Sequence, residues 1–484
     1  MELLSVLPDA DSDSHPGDPE ILRVCHDSRS VLPGDLFVAI RGERADGHER
    51  VGEAVSRGAR AVVSDRTAPA GIAVPWVRVP APRRALGRLA ARLAGDPAEK
   101  LVLAGVTGTN GKTTIAVLLE SLLARRHGRS GFLGTIGYRT GLSETPAERT
   151  TPEAPVLQRL LSEMVRAGVP AAAMEVSSHA LALDRVEGCR FDVAVFTNLT
   201  RDHLDFHKDL ESYYAAKRRL FGLRKPGAAA VINADDSFGR RLASETSEPV
   251  VTYSAAGASA DVLAEGVRCT LEGVALDVVH SGGRFHLRSP LLGRFNVENL
   301  LGASAAGLCL GLGGEEIAEA CARVGTIPGR LERVEAGQPY TILVDYAHTE
   351  DALKRLLSAV RELTDKKIIL VFGCGGDRDR GKRAPMGRVA GTLADIAIAT
   401  SDNPRSEDPS AILAEVEAGL AAAGATKYLK IADRREAIRA AVELANTGTV
   451  VIVAGKGHET TQVVGGRELP FDDRAVAAEL AARR

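Results

Sequence analysis

The stretch GVTGTNGKTT, residues 105–114, gathers the residue types that hold phosphate. It follows the apolar run LVLAGV at 101–106 and precedes a helix-like run, so it reads as strand, loop and helix. Gly108 and Gly111 let the backbone wrap an anion and aim N–H groups at it, and the next helix adds its positive end. In that setting Lys112 reaches the outer phosphates and Thr113 offers a hydroxyl to Mg²⁺, with Thr109, Asn110 and Thr114 completing the loop. The spacing departs from the strict G-x-x-x-x-G-K-[ST], because Val106 stands at its first glycine position. Glu175 closes the run AAAMEV, and a carboxylate there suits a hard cation. NLTRDHLDFH, 198–207, carries Asp202, His203, Asp205 and His207. The two histidines have a zinc-like spacing, but neither a cysteine nor an H-E-x-x-H pattern accompanies them, which argues against zinc. SDNPRSED, 401–408, sets an amide, a rigid proline and a cation (Asn403, Pro404, Arg405) behind Asp402 at the end of another apolar run. Read locally it is a turn with a surface arginine, or a reader of carboxylates.

Elements must exist to position these groups. Apolar runs alternate with helix-like segments through two long blocks, the pattern of mainly parallel sheets covered on both faces. Seven such runs end in polar segments: TGTNGKTT, SSHA, NLTRDHLDFH, AHTED, CGGDRDRGKR, SDNPRSED and KGHE. Ligands in doubly wound sheets bind beyond the carboxyl ends of the strands, so the seven segments are expected to face a shared cleft. The expected class is α/β with three domains. Residues 1–98 form a first unit, with strands at DLFVAI and ARAVVSD and a helix at RRALGRLAARLAG. Residues 99–327 form a central P-loop unit with a doubly wound, mainly parallel sheet. It is expected to carry antiparallel hairpins at VRCTLEGVALDVVHSGGRFHLRSP and one helical stretch over 297–324. Residues 328–484 form a Rossmann-like unit with strands at YTILVDY, KKIILVFG, ADIAIAT, KYLKIA and TVVIVAG.

With 61 basic and 63 acidic residues the net charge is -2, which leaves no nucleic-acid footprint. Six scattered cysteines form no C-x-x-C pair, so a reducing compartment fits. The amino-terminal residues turn acidic at once, against a secretory signal, and no apolar run is long enough to span a bilayer. A cytoplasmic protein, expected to act as a monomer, follows.

TGTNGKTT resembles the ATP-binding signature of the Mur ligases and their folylpolyglutamate synthetase relatives, ATP-dependent enzymes that form an amide through an acyl phosphate. The likeness extends over essentially the whole chain. By resemblance, ATP and Mg²⁺ are implied, with Lys112, Glu175, His203 and Lys217 in the reaction centre. Thr113, Glu175 and His203 are implied metal ligands, joined by Lys217 (of SYYAAKRRLF) if it is carbamylated as in the family; Asp202 and His207 support the loop. GRFNVENLLGA resembles the family's G-x-F-N-x-x-N element, so Asn296 and Asn299, three apart at a helix start, are expected to face one ligand. Arg330 of PGRLE and Asp345 of VDYAHTED are implied contacts to ATP phosphate and ribose, completed when the last domain closes.

DSRSVLPGDLFVAIRGERADGH, 27–48, resembles the first domain of the branch that adds a third amino acid to a UDP-N-acetylmuramoyl dipeptide. The resemblance implies UDP-sugar contacts at Ser28, Glu43, Arg44, Ala45, Thr150, Thr151, Ser177 and Arg185. Arg149 and Leu183 stand where some relatives have Asn and Gln. DNPR resembles the meso-diaminopimelate-adding group, with Asp402, Asn403, Pro404, Arg405, Arg378, Gly455 and Glu459 around the amino acid. A guanidinium grips the second carboxylate that L-lysine lacks, and repels a lone ammonium. The implied reaction is a step of peptidoglycan precursor synthesis on small-molecule substrates. A lysine-adding ligase, a P-loop ATPase and a UDP-sugar sensor are the competing readings.

Overall fold

The computed structural model describes residues 6–7, 10, 19–42 and 45–483. The first sheet has four parallel strands in chain order: Arg23–Cys25, Asp35–Val38, Ala61–Ser64 and Trp76–Arg78. Asp35 anchors its edge by accepting from Arg23 Nε and Nη2 at 3.1 and 2.6 Å. The helix Pro82–Leu93 starts on a proline that needs no N–H partner. Its Leu86, Leu89 and Ala90 bury against Leu36, Val38, Val63 and Val77.

The central sheet has eleven strands. Its parallel part runs Val250–Ser254, Arg224–Asn233, Phe191–Phe196, Val102–Thr107, Ala171–Glu175, Gly131–Gly134 in space. The strand order therefore reverses around Val102–Thr107, the place where a crevice opens at the strand ends. The helix Lys112–His127 lies against one face and Phe295–Cys309 packs beside it; Ile115, Leu118, Leu119, Leu122, Leu300 and Leu301 are fully buried.

The expected hairpins are present as Val262–Thr270, Gly273–His280 and Gly283–Ser289, antiparallel at one edge. The helical stretch expected over 297–324 is present as two helices, Phe295–Cys309 and Gly314–Arg323. Gly311 takes φ 80 between them, and Leu312 N donates back to Gly307 O at 3.0 Å, a left-handed C-terminal cap. The strand Gly131–Gly134 carried no β signal, since half of it is glycine. Its glycines answer to crowding: a Cβ at Gly134 would sit 2.5 Å from Glu175 Oε1.

The third sheet orders Glu332–Arg333, Thr341–Asp345, Thr449–Ala454, Lys367–Cys374, Ile396–Ser401, Tyr428–Lys430. All but the first strand are parallel, and the five expected strands are all present. A short hairpin, Thr461–Val464 with Arg467–Pro470, follows the last strand. No helix among the described residues is long and apolar enough to cross a membrane. All six cysteines are free.

Candidate active site

The phosphate loop lies between the strand Val102–Thr107 and the helix Lys112–His127. Two of its glycines are obligatory. Gly108 takes φ 150, and a Cβ there would sit 1.8 Å from Thr197 Oγ1; Gly111 takes φ 85, with its Cβ 2.4 Å from Asn299 Oδ1. Lys112 Nζ donates to the carbonyls of Gly108 and Thr109 at 3.0 and 2.8 Å. Lys217, fully buried, donates to the same Gly108 carbonyl at 2.6 Å and lies 4.3 Å above the Tyr213 ring. Burial, then the neighbouring Lys112 charge, holds its amine well below the ordinary lysine pKa. Two lysine Nζ groups thus converge on one carbonyl, an arrangement that an anion in the loop would relieve.

Glu175 is buried at the end of its strand. Its Oε2 accepts from Thr113 Oγ1 at 2.9 Å, and its Oε1 from Thr135 N at 2.7 Å. Among the described residues it forms no ion pair. His203 takes φ 54, and burial lowers its pKa to about 4, so its ring is neutral near pH 7. His207 is interior: its Nε2 meets Ser178 Oγ at 2.9 Å and its ring packs on Tyr213. No three His, Cys, Asp or Glu side chains among the described residues form a metal cage. Thr113, Glu175 and His203 nevertheless line one pocket. A buried carboxylate in no salt bridge among the described residues, beside a hydroxyl, suits Mg²⁺, which takes one or two protein carboxylates and completes its shell with water and phosphate.

That pocket, about 230 Å³, is also walled by Thr109–Thr114, Asn299, Arg330 and Asp345. Arg330 Nη2 donates to Thr113 Oγ1 at 3.0 Å, and its buried Nε has no hydrogen-bond partner among the described residues. Asp345 accepts from Leu331 N and Ala347 N, both at 2.8 Å, so its carboxylate shapes the loop as well as the pocket. Asn296 does not line the pocket. Its Nδ2 donates to Leu292 O at 2.7 Å and its Oδ1 accepts from Asn299 Nδ2 at 2.8 Å, so it orients Asn299 from behind. Across the cleft, Asp351 Oδ2 accepts from Asn110 Nδ2 at 3.0 Å and Thr200 Oγ1 at 3.2 Å, tying the third unit to the phosphate loop.

A second, larger cleft of about 1560 Å³ adjoins the first. Thr150, Thr151, Ser177 and Arg185 line one side of it. Thr151 Oγ1 donates to Glu175 O at 2.8 Å and accepts from Ser177 N at 3.0 Å; Arg185 pairs with Glu153 at 2.8 Å. Ser28 is not in the wall. It is buried, donating to Glu53 Oε2 at 2.9 Å. Ala45 is exposed and accepts from Gly42 N at 2.9 Å, and Glu43 and Arg44 lie outside the described residues. The first unit instead contributes Arg83, from the helix Pro82–Leu93.

On the other side stand Arg378, Asp402, Asn403, Arg405, Gly455 and Glu459. Pro404 is buried behind them. Arg405 takes φ 53 and donates through Nη1 to Gly376 O at 2.7 Å. Asn403 Nδ2 donates to Glu459 Oε2 at 2.9 Å. Beneath, the buried Arg434 makes a two-point pair with Asp473 at 2.7 and 2.6 Å. It also donates to Ser401 O and Ala454 O at 3.3 and 3.0 Å, the last residues of the strands that carry DNPR and GKGHE. Arg83, His179, Lys354 and Lys382 line the cleft without having been singled out. His179 and Lys382 sit inside quoted motifs, whereas Arg83 and Lys354 carry no local signal.

Pocket and cleft share part of one wall: Thr135, Ser177, Asp202, His203, Tyr346 and His348 belong to both. All seven polar strand-end segments contribute to one or the other.

Family models cover the three sheets in turn: "Mur ligase family, catalytic domain" over residues 20–93, "Mur ligase middle domain" over 106–307, and "Mur ligase, glutamate ligase domain" over 329–457. The chain is 47% identical over 468 residues to the UDP-N-acetylmuramoyl-L-alanyl-D-glutamate–2,6-diaminopimelate ligase of Geobacillus thermodenitrificans, covering 95% of each. A solved ligase structure of the same name is 35% identical, with a TM-score of 0.71 over 100% of this chain and 99% of that one. The fold is shared with a MurF ligase from Thermotoga maritima in complex with ADP, 20% identical with a TM-score of 0.63, covering 96% and 97%. The chain belongs to the Mur ligase family.

Proposed function

We propose that this chain is an ATP-dependent ligase that joins meso-diaminopimelate to the D-glutamyl γ-carboxylate of UDP-N-acetylmuramoyl-L-alanyl-D-glutamate, in peptidoglycan precursor synthesis. The observation that carries the reading is the wall shared by the phosphate-loop pocket and the larger cleft, with carboxylate-reading arginines on the cleft's far side. In this reading residues 1–98 and the Thr150–Arg185 side receive the UDP-sugar, residues 99–327 hold ATP, and residues 328–484 bring the amino acid. Glu43, Arg44 and Ala45 are assigned to the uridine end.

A carboxylate oxygen of the dipeptide attacks the γ-phosphorus, ADP leaves, and an acyl phosphate forms; the amine then attacks the acyl carbon and phosphate leaves. Both first partners are anions, so Lys112 and Arg330 neutralise charge and hold the line of attack. Mg²⁺, held by Thr113, Glu175 and His203, would supply further neutralisation of the phosphates. Lys217 is an apt carbamylation site, because burial favours its uncharged amine, the form that takes up CO₂. The incoming ammonium must lose a proton. His348 Nδ1 donates to Tyr346 O at 2.8 Å, which leaves Nε2 with a free lone pair, and burial keeps the ring below the usual histidine pKa. We assign His348 to receive that proton. Contacts such as Asn110 to Asp351 join the halves of the site and keep water from the acyl phosphate.

This activity is expected in the cytoplasm, from a monomer. ADP release tests it: turnover is expected with UDP-dipeptide plus meso-diaminopimelate and is expected to be far slower with L-lysine. Use of L-lysine alone overturns the specificity, and vigorous ATP hydrolysis without any UDP-sugar favours a plain ATPase.

A further inference from the structure

The amino-acid side of the cleft rests on a cation that lines neither the cleft nor the pocket. Lys456 is fully buried in the loop after the strand Thr449–Ala454. Its Nζ donates to Glu459 Oε2 at 2.8 Å and to Asn403 Oδ1 at 3.2 Å. Asn403 closes the triangle by donating to the same Glu459 oxygen at 2.9 Å, and Val463 N donates to Asn403 Oδ1 at 3.0 Å. Lys456 thus fixes which end of the Asn403 amide faces the carboxylate, and it occupies one oxygen of Glu459.

The charges around Arg405 decide what this does. Arg378, Asp402, Glu459 and Asp377 all act on its guanidinium. With Lys456 included, three cations stand against three carboxylates. A balanced site accepts a zwitterionic end, one ammonium beside one carboxylate, without net cost. A lone ammonium meets Glu459 and Asp402 in the cleft wall, and the Glu459 charge is already answered from behind. Without Lys456 the same site carries one uncompensated negative charge, and an ammonium becomes the natural counter-ion.

We propose that Lys456 is a specificity-determining residue: by pairing with Glu459 from beneath, it removes the attraction that would let an amino acid with only a terminal ammonium bind in place of one with both charges. The proposal rests on the function proposed above. Lys456 touches no ligand, so it works through Glu459 and Asn403 as a positioning residue.

The test measures kcat/KM for meso-diaminopimelate and L-lysine in wild type, K456M, K456Q and K456M/E459Q, at saturating ATP and UDP-dipeptide. The ratio of L-lysine to meso-diaminopimelate is expected to rise about tenfold in K456M, a single charge interaction's worth. It rises less in K456Q, which still donates hydrogen bonds, and falls back in K456M/E459Q, where the freed carboxylate is gone. Hydroxylamine trapping of the acyl phosphate, made without any amino acid, shows that each variant is folded and charges its substrate. Equal losses with both amino acids and an unchanged ratio overturn the proposal alone. Wild-type preference for L-lysine overturns the proposal and the function reading together.

Discussion

The two halves of the site solve opposite problems. The phosphate-loop pocket is made largely of backbone, shaped by glycines at positive φ, and its lysines rest on carbonyls with no carboxylate of the described residues in bonding range. The amino-acid side sets two arginines on carbonyls, Arg405 and Arg378, over a bed of side chains whose charges are already answered: Lys456 by Glu459, Arg434 by Asp473, Arg383 by Glu407 and Glu415. A lysine held only by carbonyls suits a ligand with a large, invariant negative charge, because any polyphosphate offsets its confinement. Answered charges suit discrimination, because a ligand must match the pattern rather than its sign. Generic energy and specificity are thereby kept in different parts of the chain.

The largest effect should come from the phosphate-loop side. Lys112→Ala removes the charge that faces the transferring phosphoryl group, and kcat should fall on the order of 10³-fold. The loss should be the same whichever amino acid is offered. A loss that depends on the amino acid would break the division. Measured ADP release and hydroxylamine trapping should fall together, since the acyl phosphate itself fails to form.

Arg405→Lys probes the other side and should cost less. Charge is retained, but the planar fork that meets a carboxylate at two points is not. With meso-diaminopimelate kcat/KM should drop roughly 10- to 100-fold, through KM for that amino acid, while KM for ATP holds. Hydroxylamine trapping should be unchanged. Equal loss of both partial reactions would show that Arg405 belongs to the chemistry rather than to selection.

The same contrast explains what the sequence disclosed. Backbone-made features are local: a glycine loop between a strand and a helix is written in ten consecutive residues, and Lys112, Thr113, Asn299 and Asp345 do line one pocket. Strand-end motifs are local too, and all seven meet at the clefts. Answered charges are not local. Lys456 reaches Asn403 across 53 positions and Arg434 reaches Asp473 across 39, so neither partnership leaves a pattern in either stretch. Ser28 and Asn296 illustrate a further limit. Each stands in a motif, yet one bonds Glu53 and the other braces Asn299, because a motif marks a place and not the direction of each side chain. The strand Gly131–Gly134 was hidden for a steric reason: glycine, chosen for close passage by Glu175 and Met164, carries no β preference.

The smallest effect lies at the rim of the answered side. Arg383 is fully buried and donates to Glu407 Oε1 at 2.8 Å, and Asp377 N donates to the same oxygen at 2.6 Å. These bonds tie the loop bearing Arg378 to the loop bearing Arg405. The Arg383 side-chain bond, followed by the Asp377 backbone bond, holds the Glu407 carboxyl at about 2 against an ordinary 4.5. A carboxyl lowered on folding contributes stability that is fully present above 4.5 and is lost as pH falls toward 2. Glu407→Gln should therefore melt only about 1 °C below wild type at pH 7, as expected of a partly exposed pair. That gap should close progressively below pH 4.5. A gap that persists at pH 2 would mean that Glu407 acts by shape rather than charge, and the rim would then resemble the backbone-made pocket more than the charge-matched side it borders.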